Sequence, residues 1–214
     1  MRCEFSPSAT VLQMKTIDAI MSRPFVYRLW MAPFAEDKFA RVLRHNDLGA
    51  VRRVLDVGCG PGTNASYFLH SEYLGIDLNT DYIESAKRRY RRRFLAADAA
   101  EFVSDFGERF DFILVNSFLH HLDTPTTRRI LSNLHGLLTP DGHIHILELV
   151  LPRSASVARF LAHADRGKFA RPLEEWEGIF DDTFNRKLLE PYTLSLFGAP
   201  LYHMVYFKGG IKPE

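Results

Sequence analysis

Cysteine is scarce: only Cys3 and Cys59 occur in the 214 residues. With one of the two inside a glycine-rich turn, a disulfide framework is excluded and a reducing, cytoplasmic setting is expected. Spaced groups of metal ligands are missing too, so no metal is expected. An excess of one charge is also lacking. Lys and Arg number 27 against 26 Asp and Glu, a formal net charge of +1. The bulk field therefore gives no reason to expect nucleic acid or an acidic membrane as partner. Long apolar runs are absent as well. No stretch approaches the roughly 18 apolar residues of a membrane span, and the opening MRCEFSPSAT has no apolar h-region of a secretory leader. No internal repeat is visible.

What is present suits one soluble domain with a sizeable core. Hydrophobic residues make up 46% and charged residues 25% of the chain. The middle third alternates strand-like and helix-like segments, the pattern of a parallel sheet covered by helices. Strands are expected at Arg53 to Val57, Tyr73 to Ile76, Arg93 to Ala96, Phe110 to Val115 and His143 to Val150. Helices are expected at Thr63 to Leu69, at Thr80 to Tyr90, and at Thr124 to Leu138, which ends before Pro140-Asp141-Gly142. Arg153 to Phe184 reads as helical, and Lys187 to Lys208, two apolar runs around Phe197-Gly198-Ala199-Pro200, as a closing hairpin. Four segments result: an N-terminal helical part over 1–50, a core over 51–151, a helical segment over 152–184 and a hairpin over 185–214.

The chemistry concentrates at VLDVGCGPGTN, Val54 to Asn64. Glycines after a strand let a ligand approach the backbone closely. A triphosphate loop would end Gly-Lys-Ser/Thr, yet Gly62 is followed by Thr63-Asn64. A dinucleotide fingerprint would place glycine where Thr63 stands. Asp56, two residues before the first glycine, repels phosphate and favours a cationic or amino-bearing ligand. About twenty residues on, Asp77 ends the second strand, where a carboxylate can accept hydrogen bonds from both ribose hydroxyls. Asp98 ends the third strand at the same edge, able to accept from an adenine amino group or to cap a helix.

Taken in order, VLDVGCGPG, YLGIDL, AADA and FDFILVNSFLHHLD resemble the class I S-adenosylmethionine-dependent methyltransferases over roughly residues 50 to 150. The resemblance implies a doubly wound α/β fold with a seven-stranded, mostly parallel sheet, order 3-2-1-4-5-7-6, strand 7 antiparallel. It implies S-adenosylmethionine as cofactor. Asp56 and the Gly58 and Gly60 backbone would face its methionine part, Asp77 with Leu78 the ribose side, Asp98 and Ala99 the adenine, and Asn116 would lie beside it. In small-molecule O-methyltransferases of similar sequence a His pair and an acid face the acceptor, here His120, His121 and Glu148. Packing or helix capping by the His pair, and a surface or cofactor-ordering role for Glu148, stay open. His143 and His145 are read as structural or solvated.

Methyl transfer at a cationic sulfur depends mostly on alignment and desolvation, with a base useful where the acceptor is a hydroxyl. The expected acceptor is a small molecule, at a hydroxyl oxygen of a secondary metabolite or a glycan or lipid precursor. The Asn-Pro-Pro-Tyr tetrad of enzymes acting on adenine or glutamine amino groups is replaced by Asn116-Ser117-Phe118-Leu119. Two alternatives remain. One is an RNA-modifying methyltransferase using the basic run Lys87 to Arg93; the other is a non-catalytic, cofactor-binding partner subunit. Acceptor choice would come from RPFVYRLWMAPF, as an aromatic lid or ordinary helix packing, and from ARFLAHADRGKFARPLEEW, with Arg159, Arg166, Lys168 and Arg171 beside aromatics, as an acceptor site or a solvated helix.

Overall fold

A computed structural model describes residues 34–154, 157–164 and 169–212. Phe25, Tyr27 and Trp30 of the proposed lid, and Arg166 and Lys168, fall outside them. The elements run α1 (Ala35–His45), β1 (Arg53–Val57), β2 (Glu72–Asp77), α2 (Thr80–Arg89), β3 (Arg93–Ala96), β4 (Phe110–Asn116), α3 (Thr124–Gly136), β5 (Leu138–Leu149), α4 (Val157–Ala164), α5 (Leu173–Thr183), β6 (Asn185–Leu196) and β7 (Ala199–Gly210). All seven strands form one sheet in the order β3-β2-β1-β4-β5-β7-β6. The first five pair in parallel, and β7 lies antiparallel to both β5 and β6. That is the topology the resemblance implies.

Period-two alternation divides the sheet between two cores. Leu55, Val57, Ile113, Val115, Ile144 and Ile146 point to one face, where Ile130, Leu131 and Leu134 of α3 and Trp176 and Phe180 of α5 cover them. Val54, Phe112 and Leu114 point to the other, under Phe39 and Val42 of α1 and Ile83 and Ala86 of α2. Both faces of β1 and β4 are thus dry, which is why these strands read as unbroken apolar runs. Asp56 is the exception, a carboxylate with 0% exposure in the second core.

Three expected elements differ. Thr63 to Leu69 is a short 3-10 segment, Thr63–Tyr67, that begins after left-handed Gly62. Its polar side chains bond locally, Ser66 Oγ to the Thr63 carbonyl and Asn64 to Asp56, competing with helix formation. β5 starts at Leu138, with Pro140-Asp141-Gly142 in a bulge between the pairs Phe110–Leu138 and Phe112–His143. A Cβ on Gly142 would lie 2.8 Å from the Phe110 carbonyl oxygen, so only glycine fits there. The helical stretch before β6 is two helices. Pro172 disfavours a helical Arg171, which instead bridges Val150 and accepts at its carbonyl from Leu151 N at 2.8 Å. The hairpin turns through Phe197 and Gly198, both at positive φ (50° and 81°), matching the twist of its strands.

His145 is structural. It stacks on Phe112 with ring centroids 3.8 Å apart, and its Nδ1 lies 2.9 Å from the Tyr206 hydroxyl. That hydroxyl accepts from Asn46 Nδ2, so its own proton goes to an unprotonated Nδ1. Burial, with Lys208 and His143 adding to it, depresses the imidazole pKa well below the ordinary value of 6.5. Below that pH the unfolded chain binds a proton the folded one refuses, so folding stability falls with acidity. Relative to His145→Phe, the wild type should lose about 1.4 kcal/mol per pH unit from about pH 6.5 downward. Urea titrations at several pH values check this; a constant difference between the two proteins would refute it.

Candidate active site

The carboxyl ends of β1, β2, β3 and β4 meet at one edge, where an open parallel sheet binds ligands. The glycine turn leaves β1 through Gly58, Gly60 and Gly62, all at positive φ (66°, 54° and 78°). A Cβ at Gly58 would sit 2.8 Å from the Phe118 ring, whereas a Cβ at Gly60 would meet nothing within 4 Å among the described residues. Gly58 admits a packed aromatic; Gly60 has no such neighbour among them. Three of the turn's N–H groups are already committed. Those of Cys59, Gly60 and Gly62 donate to the Ile76 carbonyl, Asp77 Oδ2 and the Cys59 carbonyl. A ligand bearing O–H or N–H groups meets acceptors at this edge.

Those acceptors are the predicted acids and one amide. Asp77 accepts from Gly60 N at 2.9 Å and Asn79 N at 2.8 Å. Its pKa is raised, burial outweighing both hydrogen bonds. Leu78 beside it is 65% exposed, an apolar surface next to the half-buried acid. Asp98 accepts from Ala100 N at 2.8 Å, so it closes a local turn while remaining exposed. Ala99 is buried, its carbonyl held by Asn133. Asn116 ends β4, and its Oδ1 is buried without a hydrogen-bond partner among the described residues. An orphaned buried acceptor at a sheet edge marks a place for a ligand donor.

Beneath the turn, Asp56 does not face outward. Tyr73 OH donates to its Oδ2 at 2.5 Å and Asn64 Nδ2 at 3.1 Å, while Asn64 Oδ1 accepts from Asn116 Nδ2 at 3.2 Å. Burial, against the Tyr73 and Asn64 hydrogen bonds and aided by Asp77, pushes the Asp56 carboxyl up to about 7. Burial likewise raises the Cys59 thiol strongly, with Asp56 and Asp77 adding to it, so it stays protonated. Sequence reasoning missed Tyr73 and Asn64. Their only signal was a polar atom at two positions where apolar neighbours made a core side chain the simpler reading.

The second acid is also internal. Glu148, 0% exposed, accepts from Leu119 N and Leu149 N, each at 2.8 Å, from Phe118 N at 3.3 Å, and from His120 Nδ1. Burial drives its pKa up, but the His120 charge and hydrogen bond, with the Leu149 and Leu119 N–H groups, hold it below the ordinary value. His120 is buried, its carbonyl accepting from Phe169 N; His121 is exposed, with the two rings 4.1 Å apart. The structure thus brings His120 and Glu148 together and sets His121 outside the pair. Arg171, one of the cations expected beside aromatics as an acceptor site or a solvated helix, is 4% exposed. It donates to the Leu122 and Phe169 carbonyls and lies 4.7 Å over the Trp176 ring, tying the segment before α5 to the loop after β4. Ser117 within that loop holds a left-handed φ of 53°, local strain of the kind that persists at functional sites.

Residues 54–142 match a family model described as a methyltransferase domain. Over these residues the chain carries a methyltransferase domain. This domain is 36% identical over 108 residues to a trans-aconitate 2-methyltransferase of Methylobacterium radiotolerans, covering 48% of this chain and 40% of that protein. It is 35% identical over 118 residues to the phthiotriol/phenolphthiotriol dimycocerosates methyltransferase of Mycobacterium tuberculosis, covering 52% and 42%. The chain therefore spans about half the length, or less, of these curated relatives. Among solved structures, the 1,6-didemethyltoxoflavin-N1-methyltransferase of Burkholderia thailandensis, with its acceptor and S-adenosylhomocysteine bound, superposes with a TM-score of 0.68. It shares 23% identity, covering 99% of this chain and 94% of that one. This likeness is one of fold.

Glu148 anchors the loop after β4, and removing the charge of a buried carboxylate weakens every N–H and imidazole donor gathered on it. Glu148→Gln should cost about 3 to 5 kcal/mol of folding free energy in guanidinium titrations. A loss below about 1 kcal/mol, the range of an exposed pair, would show that the clamp contributes little.

Proposed function

We propose that this protein transfers a methyl group from S-adenosylmethionine to a small molecule, at a hydroxyl oxygen. The observation that carries the reading is the convergence of acceptors at the edge bordered by Gly60: Asp77 toward ribose hydroxyls, Asn116 Oδ1 toward a further donor, exposed Leu78 alongside an adenine. The residues fit the cofactor, and the neighbour solved with S-adenosylhomocysteine supports it. Bound there, S-adenosylmethionine supplies a methyl group on a cationic sulfur for in-line displacement. The protein's part is to align the acceptor and exclude water. His120 takes the hydroxyl proton as the oxygen attacks, with Glu148 holding Nδ1 and balancing the imidazolium charge.

The position of the basic run supports a small acceptor. Lys87, Arg91, Arg92 and Arg93 line a cleft at the amino end of β1, β2 and β3, opposite to the glycine turn. Much of their charge serves the fold. Arg92 donates to the Ser71, Phe68 and Leu69 carbonyls, Arg93 pairs with Asp105 and Glu108, and Lys87 with Glu84. A polyanion held there would lie far from the methyl donor. The named relatives acting on trans-aconitate and phthiotriol are in keeping with small acceptors.

Calorimetry with S-adenosylhomocysteine, then methyl incorporation from labelled S-adenosylmethionine into metabolite extracts, tests the proposal. His120→Asn, which keeps a donor for Glu148, should lower turnover by roughly 10²- to 10⁴-fold with S-adenosylhomocysteine affinity retained. Gly60→Ala should cost about 1 to 2 kcal/mol in stability from its left-handed φ and abolish nucleoside binding. Absence of nucleoside binding by the wild type would overturn the reading, and binding without any methyl incorporation would favour a partner subunit.

A further inference from the structure

We infer that Asp56 acts through Asn64 to fix which atom Asn116 presents to a bound ligand, so that its ionised form selects a ligand N–H or O–H donor. The inference deepens the proposed function and rests on that reading for the ligand. Its basis is a chain of groups with only one consistent hydrogen-bond direction. An ionised carboxylate can only accept, so Asp56 requires Asn64 to turn its Nδ2 inward, at 3.1 Å from Oδ2 and 3.4 Å from Oδ1. Asn64 Oδ1 then faces Asn116 and can only be met by Nδ2, at 3.2 Å. What remains at the end of the chain is Asn116 Oδ1, the buried acceptor without a partner among the described residues. An amide at a site is ordinarily free to turn over; here a carboxylate two links away decides its orientation.

Protonation reverses the whole chain. A proton on Asp56 Oδ1 makes that oxygen a donor to Asn64 Oδ1. Asn64 Nδ2 then donates to Asn116 Oδ1, and Asn116 Nδ2 replaces the acceptor at the site. Every atom is conserved and only one proton is added. The groups around Asp56 place this reversal in an accessible range. Tyr73 from β2 donates to it, Asn64 donates from the 3-10 segment, and Asp77 from the end of β2 disfavours its charge. Together with burial they set the Asp56 carboxyl at about 7. Tyr73 touches no ligand edge and is a positioning residue: its hydrogen bond favours the ionised form and hence the acceptor orientation.

The test joins a ligand-free readout to a binding one. In wild-type protein the side-chain NH₂ resonances of Asn64 and Asn116 should titrate with the same midpoint as the Asp56 carboxyl carbon. Tyr73→Phe should move that midpoint upward. Asn64→Leu, which removes a donor to Asp56, should also move the Asp56 midpoint upward while silencing the Asn116 response. Affinity for S-adenosylhomocysteine should weaken about 10-fold from pH 8 to pH 5.5, the scale of one unmatched buried donor. The Tyr73→Phe variant should shift this dependence in parallel, which a contribution from Asp77 alone would not do. Asn116 resonances that ignore the Asp56 titration, or a pH dependence of binding untouched by Tyr73→Phe and Asn64→Leu, would overturn the inference. Coupled amide titrations in a protein that binds no nucleoside would instead uphold the relay and overturn the proposed cofactor.

Discussion

A single buried carboxylate organises the loop after β4. Glu148 lies on β5, the strand between parallel β4 and antiparallel β7, and gathers the N–H groups of Phe118, Leu119 and Leu149 together with the His120 ring. A charge with no exposure is tolerated only when such donors replace its water. The chain after β4 is therefore not at liberty to leave. It must carry Phe118 across Gly58 and bring the His120 carbonyl to Phe169, from where Arg171 reaches back to the Leu122 carbonyl. The strained φ of Ser117 persists because these contacts over-determine the loop.

On the cofactor side a second buried acid plays a comparable part by different means. Glu148 has backbone N–H groups and a histidine, so its charge is favoured. Asp56 has only a phenol and an amide, with Asp77 nearby, so its charge is barely tolerated. The two carboxylates sit on neighbouring parts of one sheet edge with protonation tendencies pushed in opposite directions. That division leaves one acid ionised to hold a loop and an imidazole, and the other poised near neutrality beside an amide.

The separation of charge over the molecule follows from the direction of the strands. Acceptors collect at the carboxyl edge and cations at the amino edge, because β2 and β3 end in Asp77 and near Asp98 while the C-terminal end of α2 and the start of β3 bear the arginines. Cations at a helix C-terminus complement its dipole, and Arg92 additionally satisfies carbonyls of the Phe68 to Ser71 turn. The basic run is an architectural feature first.

Local chemistry in the sequence determined the strand positions, the sheet order once the resemblance was drawn, the glycine turn, and Asp77, Leu78, Asp98 and Asn116 at one edge. These depend on periodicity and on residues that must stand at a strand's end, which nearest neighbours in the chain reveal. Tertiary structure alone decided which way the acids face. Asp56 and Glu148 turn inward because Tyr73, from the adjacent strand, and the loop after β4, some thirty residues away in sequence, bring donors that no local pattern announces. It likewise decided that the Thr63 segment is too occupied with side-chain bonding to be an α-helix, that Pro172 splits a helical stretch so Arg171 can be buried, and that His120 rather than His121 joins the acid. In each case the outcome depends on a partner supplied by another element, and only folding puts that partner in place.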